Sequence, residues 1–357
     1  MQEYVPAVGL MEEKRMLAAV FKGNGVLSVE EVPMPEIKND TDVLIKVRAA
    51  SICGSDLHIL KVPPAQYGEP GTIMGHEFYG EVAAVGSGVT QFKTGDYVVV
   101  DNILKCHTCI DCKTGHDNLC QNAKIFGQTL DGGFAQYSVI PEAQLFHMPK
   151  EVPSYYAAQT EPLSCVMNGM SKIPATPDKK VLVYGAGPIG LIYIRVLKLY
   201  GIKHLAVAEM APLRREYAEK CGAEFTADPS KEDLKQVLQE RWGGGCDIAI
   251  DAVGVGSIFG EAVELLNGGG TMLIVGQNAN AVSNVKPATI VRNELTVKGM
   301  YCAHNTFPTA IKLLQNEELG LEKFVTNKVE LKDILTGIEA LRKQEACRVI
   351  VYPNGIC

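Results

Sequence analysis

Val181-Leu-Val-Tyr184-Gly185-Ala-Gly187-Pro188-Ile189-Gly190 is the stretch that decides the fold of this 357-residue chain. An apolar run of strand length ends at Tyr184, and from Ile189 to Leu199 apolar residues recur at helical spacing. Between them the glycines stand in G-x-G-x-x-G spacing, and Glu209 ends the next apolar run 19 residues after Gly190. A lone glycine pattern is weak, but a strand before it, a helix after it and a downstream carboxylate supply the context it needs. Gly185 permits a tight turn, Gly187 lets the backbone approach a pyrophosphate, and Gly190 lets helix and strand pack closely. The helix N-terminus adds free N–H groups and a positive dipole end.

Working downstream, strand and helix alternate. Val181–Tyr184, Leu205–Glu209, Glu224–Thr226, Asp247–Asp251, Thr271–Val275 and Leu295–Lys298 read as strands. Helical patterns at Ile189–Leu199, Pro212–Lys220, Lys231–Arg241 and Ser257–Leu266 separate most of them, with Pro212 suited to a first turn and Gly222 to a stop. This alternation predicts an α/β fold with a doubly wound parallel sheet. Glu209 can accept hydrogen bonds from a ribose and repel a 2′-phosphate, which favours NAD over NADP; Arg214 and Arg215 could offset it. The candidate cofactor residues are Gly185, Gly187, Pro188, Ile189, Gly190, Glu209, Arg214, Val275, Gly276 and Met300.

Upstream the texture changes. Residues 17 to about 160 read as short strands broken at Gly71–Gly75, Gly86–Gly88 and Asp131–Gly133. In Val43–Ala49 alternate apolar residues share one face, as a strand requires. The tail from Tyr301 holds two helical stretches and a final strand, Arg348–Tyr352, expected to return to the first domain.

Composition bounds the function. Hydrophobic residues make up 46% and charged residues 21%, ordinary for a globular chain, and the length suggests two domains. A net charge of −7 gives no reason to expect nucleic acid or an anionic membrane as partner. No apolar run is long enough to span a bilayer. Residues 1–15 lack the basic start and apolar run of a signal peptide, so a cytoplasmic location is expected, with this segment a disordered or edge-packing extension and Met16 a second plausible start.

Eleven cysteines without a signal peptide point to metal or buried thiols. Cys106, Cys109, Cys112 and Cys120 fall within fifteen residues, offering the four thiolates of a closed structural zinc site. Zinc would order a loop that lacks apolar content of its own. An iron–sulfur cluster is the rival occupant, and His107 and His116 read as solvated neighbours. Cys165, Cys221, Cys246, Cys302, Cys347 and Cys357 read as packing residues.

A second donor set lies in separate loops. Cys53-Gly-Ser55-Asp56-Leu57-His58, Gly75-His76-Glu77 and Glu161-Pro162 offer a thiolate, an imidazole and carboxylates, the donors of an open, catalytic zinc site. Singly, each has a structural explanation; together with the dinucleotide motif and the cysteine loop they indicate chemistry.

These motifs resemble the zinc-containing medium-chain dehydrogenases, specifically the sorbitol (polyol) and threonine dehydrogenase branch, across nearly the whole chain. Gly75-His76-Glu77-x2-Gly80-x5-Gly86-x2-Val89 matches the family's zinc signature, Cys106 to Cys120 its structural lobe, and Glu161-Pro162-Leu163 the polyol branch. The resemblance implies a mostly β GroES-like catalytic domain from residues 1–165 and 301–357, and a Rossmann domain from 166–300. It implies that Cys53 and His76 hold a catalytic zinc with Glu77 or Glu161, directly or through water. It also implies that Ser55 takes the alcohol proton, that His58 relays it, and that the chain forms a homodimer or homotetramer. The expected reaction interconverts a secondary, polyol-like alcohol and its ketone with NAD.

One departure matters. Where the sorbitol branch carries an arginine after the last Rossmann strand, this chain reads Gly299-Met300-Tyr301-Cys302-Ala303-His304-Asn305-Thr306. Sorbitol itself is therefore doubtful, and Met300 and Tyr301 suit a less polar alcohol. A polyol phosphate would have only Lys61 and His304 as obvious cations, and a threonine-type substrate stays open. A zinc-free reductase or a non-catalytic nucleotide-binding protein would not need Cys53, His76 and Glu161 together.

Overall fold

The computed structural model describes residues 14–356. The expected extension lies almost wholly outside them, as does Cys357; of its residues, Arg15 already opens the first strand, Arg15–Gly23.

Six parallel strands form one sheet in the order Phe225–Ala227, His204–Ala208, Lys180–Tyr184, Cys246–Asp251, Leu266–Ile274 and Thr296–Gly299. Numbered along the chain, that is 3-2-1-4-5-6, the doubly wound order with its crevice where the winding reverses. Strand periodicity explains the two packed faces. Val181 and Val183 join one core cluster with Ile192 and Val196, whereas Leu182 and Tyr184 join another with Leu234, Leu238 and Ala262.

Two element boundaries in the parallel-sheet half differ from the sequence reading by more than one residue. The helix expected from Lys231 starts at Leu234, because Asp233 caps it by accepting from the amides of Lys235 (2.9 Å) and Gln236 (3.4 Å). The strand expected from Thr271 begins at Leu266, directly after the helix Gly256–Leu265, and a register irregularity between Cys246 and Ile248 accommodates the glycine-rich insert.

The second sheet is mostly antiparallel. Its strands run in the order Val325–Glu330, Arg348–Tyr352, Asp42–Ser51, Glu77–Val85, Tyr97–Val100 and Leu145–His147, and Tyr137–Pro141 also pairs with Asp42–Ser51. The closing strand Arg348–Tyr352 does return to the upstream half, as expected, pairing antiparallel with Asp42–Ser51. From this half the cysteine loop hangs on a two-residue hairpin, Ile103–Leu104 with Lys124–Ile125. Among the described residues, no helix is long and apolar enough to cross a membrane.

Candidate active site and metal centres

Strand register assembles the centre. Asp42–Ser51 and Glu77–Val85 pair so that Ser51 faces Glu77, while Ile350 of the closing strand pairs with Ser51 from the other side. Arg348, two residues before Ile350, shares its sheet face. The fully buried Arg348 guanidinium therefore donates from Nη2 to Glu77 Oε2 at 2.5 Å and to Ser51 Oγ at 2.8 Å, and Ser51 donates to the same glutamate oxygen. Glu77 Oε1 is left buried without a protein hydrogen-bond partner. A buried carboxylate oxygen in that state needs a cation or a donor.

Cys53 sits at the N-cap of the short helix Gly54–Ile59. In its first turn the fully buried Asp56 accepts from the Cys53 amide with one oxygen (2.9 Å) and holds the other 3.4 Å from His76 Nδ1. Ser55 Oγ lies 3.4 Å from His76 Nε2. The ligand atoms of Cys53, His76 and Glu77 all lie within 4.8 Å of one another. Burial, then the Glu77 charge, pushes the Cys53 thiol up. Burial alone would lower His76, but the charges of Cys53 and Asp56 raise it well above its ordinary value. A cation at the centre of such a donor set resolves both, since it favours thiolate and neutral imidazole together.

Glu161 lies in the first turn of the helix Thr160–Met170 and is outside this three-residue group. It is buried, its carboxyl pushed up to about 7 chiefly by that burial, with His76 opposing and Glu77 adding to the shift. His58 lies in the last turn of the short helix, half-buried, and is held below its ordinary value by burial and then by Lys61.

The four loop cysteines also converge, with sulfurs within 4.8 Å of one another. The Cys106 and Cys109 amides point at Cys120 Sγ (3.3 Å) and Cys106 Sγ (3.4 Å). Cys106 is held down to about 5, first by the Thr108 side chain, whereas Cys112 is pushed up to about 12 by burial and its neighbours' thiols. Crowded thiolates repel one another until a cation sits among them, and four sulfurs are the donor set of a closed zinc site. His107 and His116 are exposed and stand outside the group.

At the cofactor motif, Gly185 has a φ of +89°, and a Cβ on Gly190 would fall 2.0 Å from the Gly185 carbonyl oxygen, so strand and helix touch there. A Cβ on Gly187 would meet nothing within 4 Å: the backbone is bare toward open space at the N-cap of Pro188–Leu199, where a pyrophosphate fits. Glu209 is buried and accepts from the amides of Ala186 (2.9 Å) and Ala211 (2.8 Å), which aims it at the glycine turn. Arg215 is engaged by Asp228 (3.2 Å) and the carbonyls of Glu209 and Met210, while Arg214 Nε has no hydrogen-bond partner. Val275 and Gly276 donate to the Asp251 carbonyl just past the fifth strand, and Met300 is buried just past the sixth. All lie at the carboxyl ends of the parallel strands.

Comparison with known proteins follows the same division. Residues 39–150 match the alcohol dehydrogenase GroES-like domain, and residues 188–316 match the zinc-binding dehydrogenase domain. The L-threonine 3-dehydrogenase of Pyrococcus abyssi is 37% identical over 89% of this chain and 92% of its own. The chain belongs to the zinc-containing medium-chain dehydrogenases. It falls in their polyol and threonine branch and is a zinc-dependent alcohol oxidoreductase. The sorbitol dehydrogenase of Bacillus subtilis is 33% identical over 96% of this chain and 98% of that one. A zinc-binding dehydrogenase of Sinorhizobium meliloti, solved bound to NADP, superposes with a TM-score of 0.90 at 29% identity, covering 95% of this chain and all of that one.

In this medium-chain dehydrogenase two of the expected packing cysteines also lie near Glu161, Cys165 while packing against the core. Cys221, Cys246 and Cys347 are buried in the core. Cys165, however, donates to Glu161 Oε1 (3.5 Å), and Cys302 carries a φ of +50° and lies close enough to feel the Glu161 charge. None of the described cysteines forms a disulfide. His304 Nε2 donates to the Gly115 carbonyl (2.8 Å), which ties that ring nitrogen to the cysteine lobe. Sequence reading assigns no role to Asp56, Ser51 or Arg348. Asp56 lies inside the Cys53 motif, and Arg348 is signalled only as a cation opening an apolar strand, Arg348–Tyr352.

Proposed function

We propose that this enzyme oxidises an uncharged, polyol-like secondary alcohol with NAD, or reduces the corresponding ketone, in the cytoplasm. Two structural units would do this: residues 1–165 with 301–357 supply the catalytic side, and residues 166–300 bind the dinucleotide. The observation that carries the reading is a physical link between those sides. Asn168, in the dinucleotide unit on the helix that bears Glu161, donates from Nδ2 to the carbonyls of Tyr301 (3.2 Å) and Cys302 (2.7 Å) in the loop that leaves the last parallel strand.

Cys53, His76 and Glu77 would hold the catalytic zinc, with Glu161 beside it, and the four loop cysteines a structural one. Bound there, zinc would supply Lewis acidity toward the alcohol oxygen, and a nicotinamide would supply the capacity to accept hydride. The chain's own groups do the rest. Asp56 fixes the His76 ring, as a carboxylate behind a metal-binding imidazole does. Ser55, beside that ring, takes the alcohol proton, and His58, neutral near pH 7, accepts it for release outward. Glu209 accepts from the adenosine ribose and its charge opposes a 2′-phosphate; Arg215 is already engaged, which leaves Arg214 as the neighbouring cation. Gly185, Gly187, Pro188, Ile189 and Gly190 would cradle the pyrophosphate, with Arg214, Val275, Gly276 and Met300 flanking the dinucleotide. A homodimer or homotetramer is the expected assembly.

A less polar alcohol is the second reading, favoured by Met300 and Tyr301 standing where the sorbitol branch carries an arginine. A kinetic panel of polyols, polyol phosphates, threonine and apolar secondary alcohols, each with NAD and NADP, tests both readings. The highest kcat/KM is expected for an uncharged secondary alcohol with NAD. A preference for a phosphorylated or amino-acid substrate, or for NADP, would replace the proposal.

A further inference from the structure

We propose that Asn118, in the cysteine lobe, is a positioning residue for the substrate-side loop 300–306, so that the distant metal lobe sets how the alcohol is held. This rests on reading that loop as a wall of the substrate site.

The loop is under conformational stress. Cys302 and Asn305, neither of them glycine, have φ values of +50° and +56°, a region that persists only where the surroundings over-determine it. It is held from two directions. On one side stands the helix carrying Glu161, through Asn168 and Ser164. On the other stands the cysteine lobe: Asn118 Nδ2 donates to the Tyr301 carbonyl at 2.9 Å, and His304 Nε2 donates to the Gly115 carbonyl at 2.8 Å. The Tyr301 carbonyl thus receives both asparagines, one from each side.

Apolar packing does not make the lobe's connection. Between lobe and loop lies the cavity of about 390 Å³, with Ile103, Leu119, Ala123, Ile125 and Tyr301 around it, and Leu119 and Tyr301 are exposed. A cavity provides no interdigitated contact to resist sliding, so the directional hydrogen bonds fix the loop on this side. Asn118 itself is buried, in the short turn Asp117–Leu119 that ends at Cys120. Its placement depends on the order of the lobe, and that order depends on the four thiols more than on any core of the lobe's own. The chain of positions runs from Cys120 to Asn118, to the Tyr301 carbonyl, to Cys302, to Glu161.

The test compares Asn118→Ala and Asn118→Asp with the parent holoenzyme by zinc content, steady-state kinetics and amide hydrogen exchange across residues 300–306. Loss of one such hydrogen bond should raise the KM for the alcohol about five- to tenfold and speed exchange in the loop, with zinc content intact. Asn118→Asp should be worse than Asn118→Ala, because it turns a carboxylate toward the Tyr301 carbonyl; the reverse order would point to packing and overturn the hydrogen-bond account. If Asn118 variants lose lobe zinc, His304→Ala leaves every thiol in place and must move the same two readouts. Unchanged loop exchange and alcohol KM in that variant would overturn the proposal. Exchange is read without substrate, so a wrong choice of alcohol cannot mimic that failure.

Discussion

Arg348 Nη2 lies 2.5 Å from Glu77 Oε2, although 271 residues separate the two along the chain. Both side chains are almost completely buried, so neither charge has water to fall back on. Removing one member of a buried pair leaves an uncompensated charge and costs about 3–5 kcal/mol. Arg348→Met should therefore lower unfolding free energy by that order in denaturant titrations and reduce zinc content, because Glu77 is no longer held. Arg348→Met with Glu77→Gln should recover most of the stability while leaving the metal centre defective. A single variant as stable as the parent would show that the pair matters little.

Asp56 Oδ1 stands 3.4 Å from His76 Nδ1, on the side of the ring away from Ser55. Replacing such a carboxylate typically costs 10–100-fold in metal affinity or activity, by an order-of-magnitude rule. Asp56→Asn should show a loss in that range when zinc is competed away with a chelator. It should also slow turnover, while the cysteine lobe keeps its metal. Parental zinc retention and kcat would remove Asp56 from the design of the centre.

Glu209 faces the glycine turn through two amide contacts. On the proposed NAD reading, Glu209→Ala would remove both the ribose acceptor and the charge opposing a 2′-phosphate. The NAD-to-NADP ratio of kcat/KM should fall about tenfold, roughly 1.4 kcal/mol. An unchanged ratio would move the source of selectivity elsewhere.

His58 is held below the ordinary histidine value by burial and Lys61. A relay base must be neutral, so activity should persist as pH falls past about 6.5, the unperturbed value, and decline only as the lowered pKa is crossed. His58→Ala should lower turnover by about 100-fold, the small end of general acid–base assistance, and abolish that acidic limb. Undiminished turnover with the same pH profile would end the relay role.

What was legible in the sequence depended on how far apart the partners are. The glycine turn and the cysteine loop each lie within a few consecutive residues, so spacing alone reports them. Cys53 and His76 come from two loops 23 positions apart, and each announces itself by a local motif. Arg348 cannot be reached this way: only the pairing of Ser51 with both Glu77 and Ile350 brings it to the centre. Asp56 was visible as a residue, yet its role required the geometry of a six-residue helix. Cys302 read as packing because its left-handed backbone is not encoded by any glycine. The helix start at Leu234 follows from an Asp233 cap that the apolar pattern alone overlooks.

The closing strand Arg348–Tyr352 lies only a few residues from the chain's end, yet it supplies the guanidinium that compensates Glu77. Until that strand pairs with Asp42–Ser51, the Glu77 carboxylate lacks its only cationic partner among the described residues. Sheet closure and completion of the donor trio are thus one event, which joins Glu77 and Arg348 across 271 positions of chain.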